Sequence, residues 1–215
     1  MRTTPYLATL LAAVALHSST AAGAGPPTPL VLDLTGNDID LGGVTTTSLF
    51  GPTLTLRWTK TTSDDAFLVI DASALRQKGY DWRHAYGPPL MGQQLARGGT
   101  RLTTPGGTTV TVNDSWDLLA RLDANRDGKL SSSDPVWTTA SVFNDADANG
   151  KIDAGELMGL PVSGIVSISL AHAAPVRDNH GNVLSRGVFQ TASGSVRTAA
   201  GVTLATTVAH PAVAE

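Results

Sequence analysis

Asp145-Ala-Asp-Ala-Asn-Gly-Lys-Ile-Asp-Ala-Gly-Glu156 is the stretch on which the reading of this chain turns. Oxygen-bearing side chains recur at every second residue, then a carboxylate closes the run. The EF-hand calcium loop needs this pattern, with ligands at positions 1, 3, 5, 7, 9 and 12 and glycine at position 6. Asp145, Asp147 and Asn149 offer side-chain oxygens, and Lys151 needs only its carbonyl. Asp153 acts directly or through water, and Glu156 clamps with both carboxylate oxygens. Gly150 permits the positive φ that wraps the chain around an ion. An ordinary turn uses one or two such residues, not six alternating oxygens.

A second copy begins 22 residues earlier, at Asp123-Ala-Asn-Arg-Asp-Gly-Lys-Leu-Ser-Ser-Ser-Asp134. Its ligand slots fall on Asp123, Asn125, Asp127, Lys129 (carbonyl), Ser131 and Asp134. It has three carboxylates against four, and Asp134 reaches an ion less easily than a glutamate. Weaker or wetter binding is expected there. Leu130 and Ile152 both fill position 8, where paired loops join by a short β contact, so the two loops are expected to pair. Only ten residues, Pro135–Asn144, separate them. A helix of that length spans about 15 Å, too little for an exit helix, a linker and an entry helix. With three Met in the chain there is no Met-rich groove to open. A structural or buffering pair is therefore expected, not a switching sensor.

Outward from the loops, Asn113 or Asp114 can cap a helix over Ser115–Leu122 with Trp116, Leu119 and Leu122 on one face. Pro135–Phe143 reads as a connector that is part helix. Ala154–Leu160 reads as a helical turn or two, stopped by Gly159 and Pro161. Leu30–Leu34, Thr53–Trp58, Ala66–Ile70 and Thr108–Val112 read as strands, while Asp71–Gly107 shows little periodicity. Beyond the second loop, Gly164–Leu170 alternates as a strand. Turn clusters at Asp178–Asn182 and Ala192–Ser195 separate β-prone runs at Val183–Thr191, Ser195–Thr198 and Val202–Val208. The expected fold is α+β: a β-rich single domain with a compact pair of EF-hand-like loop-helix calcium sites at 115–160 and a C-terminal β-meander.

The 215 residues are 41% hydrophobic, enough for a core, and the net charge of −3 offers no basic field for nucleic acid. The acidic excess is local. Asn113–Glu156 holds nine acidic and four basic residues, leaving the remainder slightly basic. Cysteine is absent, which excludes disulfides and thiolate zinc sites, so bound metal is the natural staple for a small exported domain. At the amino terminus, Arg2, the apolar run Tyr6–Leu16 and the small residues Ala22-Gly23-Ala24 match a secretory signal peptide over 1–24. The expected product is a secreted or periplasmic domain over 25–215 with no membrane span once the signal is removed.

Leu118–Leu170 resembles a segment of bacterial haemolysin-type and repeat-in-toxin calcium-binding proteins. The resemblance is carried by Leu118-Leu-Ala-Arg-Leu-Asp-Ala-Asn-Arg-Asp-Gly-Lys-Leu130, Asp134-Pro135, Asp145–Gly150, Gly155-Glu156-Leu157 and Gly164–Leu170. Pro29-Leu-Val-Leu-Asp-Leu-Thr-Gly-Asn-Asp-Ile-Asp-Leu41 resembles the opening of the same module, with Thr35 and Asp38 in place of an expected Asp and Gly. Asp33, Asn37, Asp38 and Asp40 offer oxygens for a third ion, but the sequence favours a turn with exposed carboxylates. Glycine-rich nonapeptide repeats are missing, so toxin activity does not carry over. Some relatives contain a calcium-dependent self-processing module that cuts an Asp-Pro bond just before this opening. Here the position is Thr28-Pro29, without the aspartate. Asp134-Pro135 reads as a ligand followed by a helix-starting proline.

His84, His172, His180 and His210 lie in no nucleophile or zinc motif, and no catalytic residue is assigned. The expected function is an exported, non-enzymatic calcium-binding protein, holding two Ca2+ and open to a protein or cell-surface partner. The alternative is a calcium-dependent self-processing or hydrolytic protein with structural metal.

Overall fold

Ala66-Phe-Leu-Val-Ile70 is apolar at every position, the pattern of a strand covered on both faces, and it lies inside a ten-stranded sheet. The computed structural model describes residues 28–51, 53–84 and 89–207. The signal-peptide expectation for 1–24 lies outside them, as does His210.

In chain order the strands begin with β1 (Leu30–Asp33), β2 (Gly43–Thr47), β3 (Leu54–Trp58) and β4 (Asp65–Asp71), followed by helix α1 (Ala72–Gln77). Next come β5 (Asp81–His84), β6 (Gln93–Leu95), β7 (Thr100–Thr103), β8 (Thr109–Val112) and helix α2 (Ser115–Leu122). Then follow β9 (Lys129–Ser131), β10 (Ala140–Phe143), β11 (Leu157–Gly159) and β12 (Ile165–His172). The last are β13 (Val176–Arg177), β14 (Val183–Thr191) and β15 (Val196–Thr203). The main sheet runs β11-β10-β4-β1-β15-β14-β12-β9, with β6 on β4 and β13 on β14. It is antiparallel throughout and curls into a half-barrel.

Alternation along the central strands sorts their side chains into two cores. Leu30, Leu32, Ala66, Leu68 and Ile70 face a cluster that also holds Leu75 of α1, Trp82, Leu102, Val112 and the apolar face of α2. Val31, Phe67, Val69, Ala200 and Val202 face the other way, against Leu56 and Trp58 of the β2–β3 hairpin. Helix α2 is capped by Asp114, whose carboxylate accepts the Asp117 N–H, and it buries Trp116, Leu118, Leu119 and Leu122.

The expected pair of loop-helix units is not formed. Among the described residues there are two α-helices, and one of them, α2, leads into a loop. The first loop leaves through β9 and a 3-10 turn at Pro135–Thr139, the second is entered from β10 and left through β11. The spacer is too short for two helices, and Val142 and Phe143 gain more as strand residues against Leu68 and Phe67 of β4. Ala154–Leu160, read as helical, is a turn and then a strand, since Gly155 takes φ +92° and Leu157–Gly159 pairs with β10. The position-8 residues do not meet either: Leu130 pairs with Ile168 of β12, while Ile152 packs partly buried in the second core. The tail strands β12, β14 and β15 pair antiparallel in succession, and β15 is hydrogen-bonded to β1, which makes them part of the main sheet.

Candidate metal centres

Each twelve-residue loop is wound by its own carboxylates. In the first, Asp123 Oδ1 accepts the Arg126 and Asp127 N–H groups (2.7 and 3.3 Å), and Oδ2 accepts that of Gly128 at 3.0 Å. In the second, Asp145 Oδ1 accepts the Asn149 N–H at 3.0 Å and Oδ2 that of Gly150 at 2.8 Å. Both loops take positive φ at positions 4 and 6: Arg126 and Gly128 at 59° and 79°, Ala148 and Gly150 at 57° and 70°. That double reversal winds each loop's backbone N–H groups back onto its first carboxylate.

The closing carboxylates act alike. Asp134 accepts the N–H of Ala124 and of Ser131, both at 2.9 Å, which are positions 2 and 9 of its loop. Glu156 accepts from the same two positions, Ala146 at 3.1 Å and Asp153 at 2.9 Å. Asp134 is buried to 2% exposure, whereas Glu156 is partly exposed. Pro135 starts the 3-10 turn behind Asp134, where its missing N–H costs nothing.

Within the second loop, carboxylate oxygens of Asp145, Asp147 and Glu156 lie within 4.8 Å of one another, so three charges converge as a cation would require. Asn149 bridges Asp147 and Asp153 through its amide at 2.8 and 2.7 Å, and its Oδ1 accepts the Lys151 N–H. Among the described residues the first loop makes no such group of three. Asn125 and Asp127 are linked to each other, Asp127 accepts the Lys129 N–H, and Ser131 accepts that of Ser133.

The rest of the molecule supports the loops through residues that the motif does not contain. The Trp58 indole N–H donates to Asp145 Oδ2 at 2.6 Å, and Trp58 stacks on Phe67 at 4.2 Å. Thr47 Oγ1 donates to the Gly150 carbonyl at 2.5 Å. Asp145 is only 1% exposed, and burial pushes its pKa up against the donors around it. The first loop is held by the Gly128 carbonyl, which accepts the Leu170 N–H at 3.0 Å. Nearby, burial and the charge of Asp134 raise the Tyr80 phenol.

The amino-terminal turn uses the same winding. Asp33 accepts the N–H groups of Gly36, Asn37 and Asp38, and Gly36 and Asp38 take φ of 90° and 78°. The four oxygen-bearing residues read there do not converge. Asp38 pairs with Arg186, and Asp40 pairs with Lys60, which holds its carboxyl below the usual range. Asp33 is buried, not exposed as a simple turn would have it, and its neighbours are Asp64 and Asp65. Burial, followed by the charges of Asp64 and Asp33, raises Asp65 to about 6 although Asp40 N–H and Ser63 donate to it.

Among the described residues there are thus two acidic groups able to take a metal ion, Asp145/Asp147/Glu156 and Asp33/Asp64/Asp65. No curated protein matches the sequence. A comparison with known families matches residues 30–205, from β1 to just past β15, to the SPM domain. This chain belongs to the SPM domain family.

Proposed function

We propose that the protein is an exported calcium-binding protein whose two acidic loops, Asp123–Asp134 and Asp145–Glu156, hold Ca2+ to stabilise a non-catalytic domain. The observation that carries this reading is the shared closing geometry. In each loop one carboxylate at position 12 grips the N–H groups of positions 2 and 9, so both ends of an all-oxygen ring are fixed in place. Oxygen donors without sulfur or imidazole favour hard cations such as calcium. The strands on either side of the second loop favour a static site there, because a strand cannot swing as the helices of a sensor do.

Export is part of the proposal and rests on Arg2, Tyr6–Leu16 and Ala22-Gly23-Ala24. So does membership among haemolysin-type calcium-binding proteins, on the residues quoted for it. Calcium-dependent self-processing is the alternative. Thr28 lacks the carboxylate that the resemblance requires, and both oxygens of Asp134 are engaged within its own loop, which favours the non-catalytic reading.

Calcium titration calorimetry on metal-free protein tests it. Glu156→Gln should remove the tighter binding event, and Asp123→Asn a weaker one. Superimposable wild-type and Glu156→Gln titrations overturn the loop assignment. A calcium-dependent pair of fragments on a denaturing gel, abolished in Asp134→Ala, would favour the alternative.

A further inference from the structure

Strand β1 ends on Asp33 and β4 begins on Asp65, and the antiparallel register sets these two residues directly opposite each other. Both are buried, at 1% and 2% exposure. Asp64 adds a third carboxylate, and one oxygen from each of the three lies within 4.8 Å of the others. Like charges that face each other across a ladder repel, and burial removes the water that would screen them. The protein does not neutralise them. Lys60 and Arg186, the cations on adjoining segments, are bound to Asp40 and Asp38. Among the described residues none of the three carboxylates has an ion pair.

Hydrogen bonds satisfy five of the six oxygens. Asp33 accepts the three N–H groups already named. Asp64 accepts the Thr35 N–H and hydroxyl on one oxygen and the Asn37 amide on the other. Asp65 Oδ2 accepts the Asp40 N–H at 2.9 Å and the Ser63 hydroxyl at 3.1 Å. Asp65 Oδ1 has no donor among the described residues and is sealed from solvent. A buried carboxylate oxygen left without a partner is costly, and two further carboxylates beside it deepen the cost.

We propose that Asp33, Asp64 and Asp65 form a third divalent-cation site, with Asp65 Oδ1 as its innermost ligand and calcium as the ion. The three donor groups are all carboxylates, which selects a hard cation over zinc or copper. The site differs in kind from the two loops. It is assembled from two segments about thirty residues apart, at the end of the β1–β4 ladder, so no linear motif announces it. An ion there ties the two central strands together at one end.

The test is calcium stoichiometry by equilibrium dialysis on the full chain, with thermal unfolding in chelator and in calcium, for wild type, Asp65→Asn and Glu156→Gln. Asp65→Asn should bind one ion fewer. Its melting point in chelator should equal or exceed that of wild type, because the substitution removes an uncompensated buried anion, while its rise on adding calcium should shrink. An unchanged count together with a lower melting point in chelator makes Asp65 purely structural and overturns the proposal. Glu156→Gln separates the two readings: it should lose a different ion, so one variant failing to lose its ion sinks only the site it tests. Should Asp65→Asn not fold, the count is read on the partly exposed Asp64→Asn, where one ion fewer supports the site and no loss overturns it.

Discussion

Asp145 gathers more of the molecule than any other candidate ligand of the loops. Its Oδ2 takes the Gly150 N–H from within the loop and the Trp58 indole N–H from a hairpin 87 residues away. The indole fixes a carboxylate that lies within 4.8 Å of those of Asp147 and Glu156. Trp58→Phe keeps most of the packing on Phe67 but removes that donor. Loss of one hydrogen bond to a buried carboxylate should cost about 1.5 kcal/mol, a roughly tenfold weaker second loop by calorimetry. Calcium affinity unchanged in Trp58→Phe would show that the indole only packs. The acidic residues that the structure brings together at Asp145, Asp147 and Glu156 were legible in the sequence because the EF-hand spacing is local and each slot is set by its neighbours. Trp58, Thr47, Asp64 and Asp65 were not, since nothing near them in the chain shows that they approach a loop. Ser63-Asp64-Asp65 at the head of the apolar run Ala66–Ile70 places two carboxylates at the mouth of a buried ladder, but says nothing of what they face across it.

At the scale of elements, the strand pairs show why local pattern failed around the loops. Pro135–Phe143 keeps its helical part as the 3-10 turn Pro135–Thr139, but Ala140–Phe143 pairs with β4 through Ile70, Leu68 and Phe67, and Leu157–Gly159 of the helical-looking Ala154–Leu160 pairs with β10. The helix over Ser115–Leu122 was readable because a cap and an apolar stripe agreed. What the stripe could not tell is what lies beneath it. Trp116 rests on β14 and β15, where its indole donates to the Ser185 carbonyl at 3.1 Å and its ring stacks on His172 at 5.0 Å. It fits because Gly201 has no side chain: a Cβ there would lie 2.7 Å from Trp116 Nε1 and 2.9 Å from Ser115 Oγ. Gly201→Ala should therefore lower stability by about 1–3 kcal/mol, seen as a lower denaturation midpoint with an unchanged m-value. A midpoint equal to that of wild type would mean that α2 can shift away without loss.

For the whole molecule, the feature with the widest reach is the place of β1, hydrogen-bonded to β4 on one side and to β15 on the other. Leu30 faces Gly201, so the centre of the sheet joins residues about 170 positions apart. Contacts of such long range make folding slow, since the loop must close before the pairing rewards it. A chain stopped before Val196 should stay unfolded by circular dichroism and aggregate, with β1 exposing an unpaired edge. A soluble, cooperatively melting truncation would refute this. In time, the same adjacency means that a ribosome must finish β15 before β1 has its second neighbour. The central sheet therefore closes only once the last strand has been made, and the acidic loops framed by that sheet take their final shape no earlier.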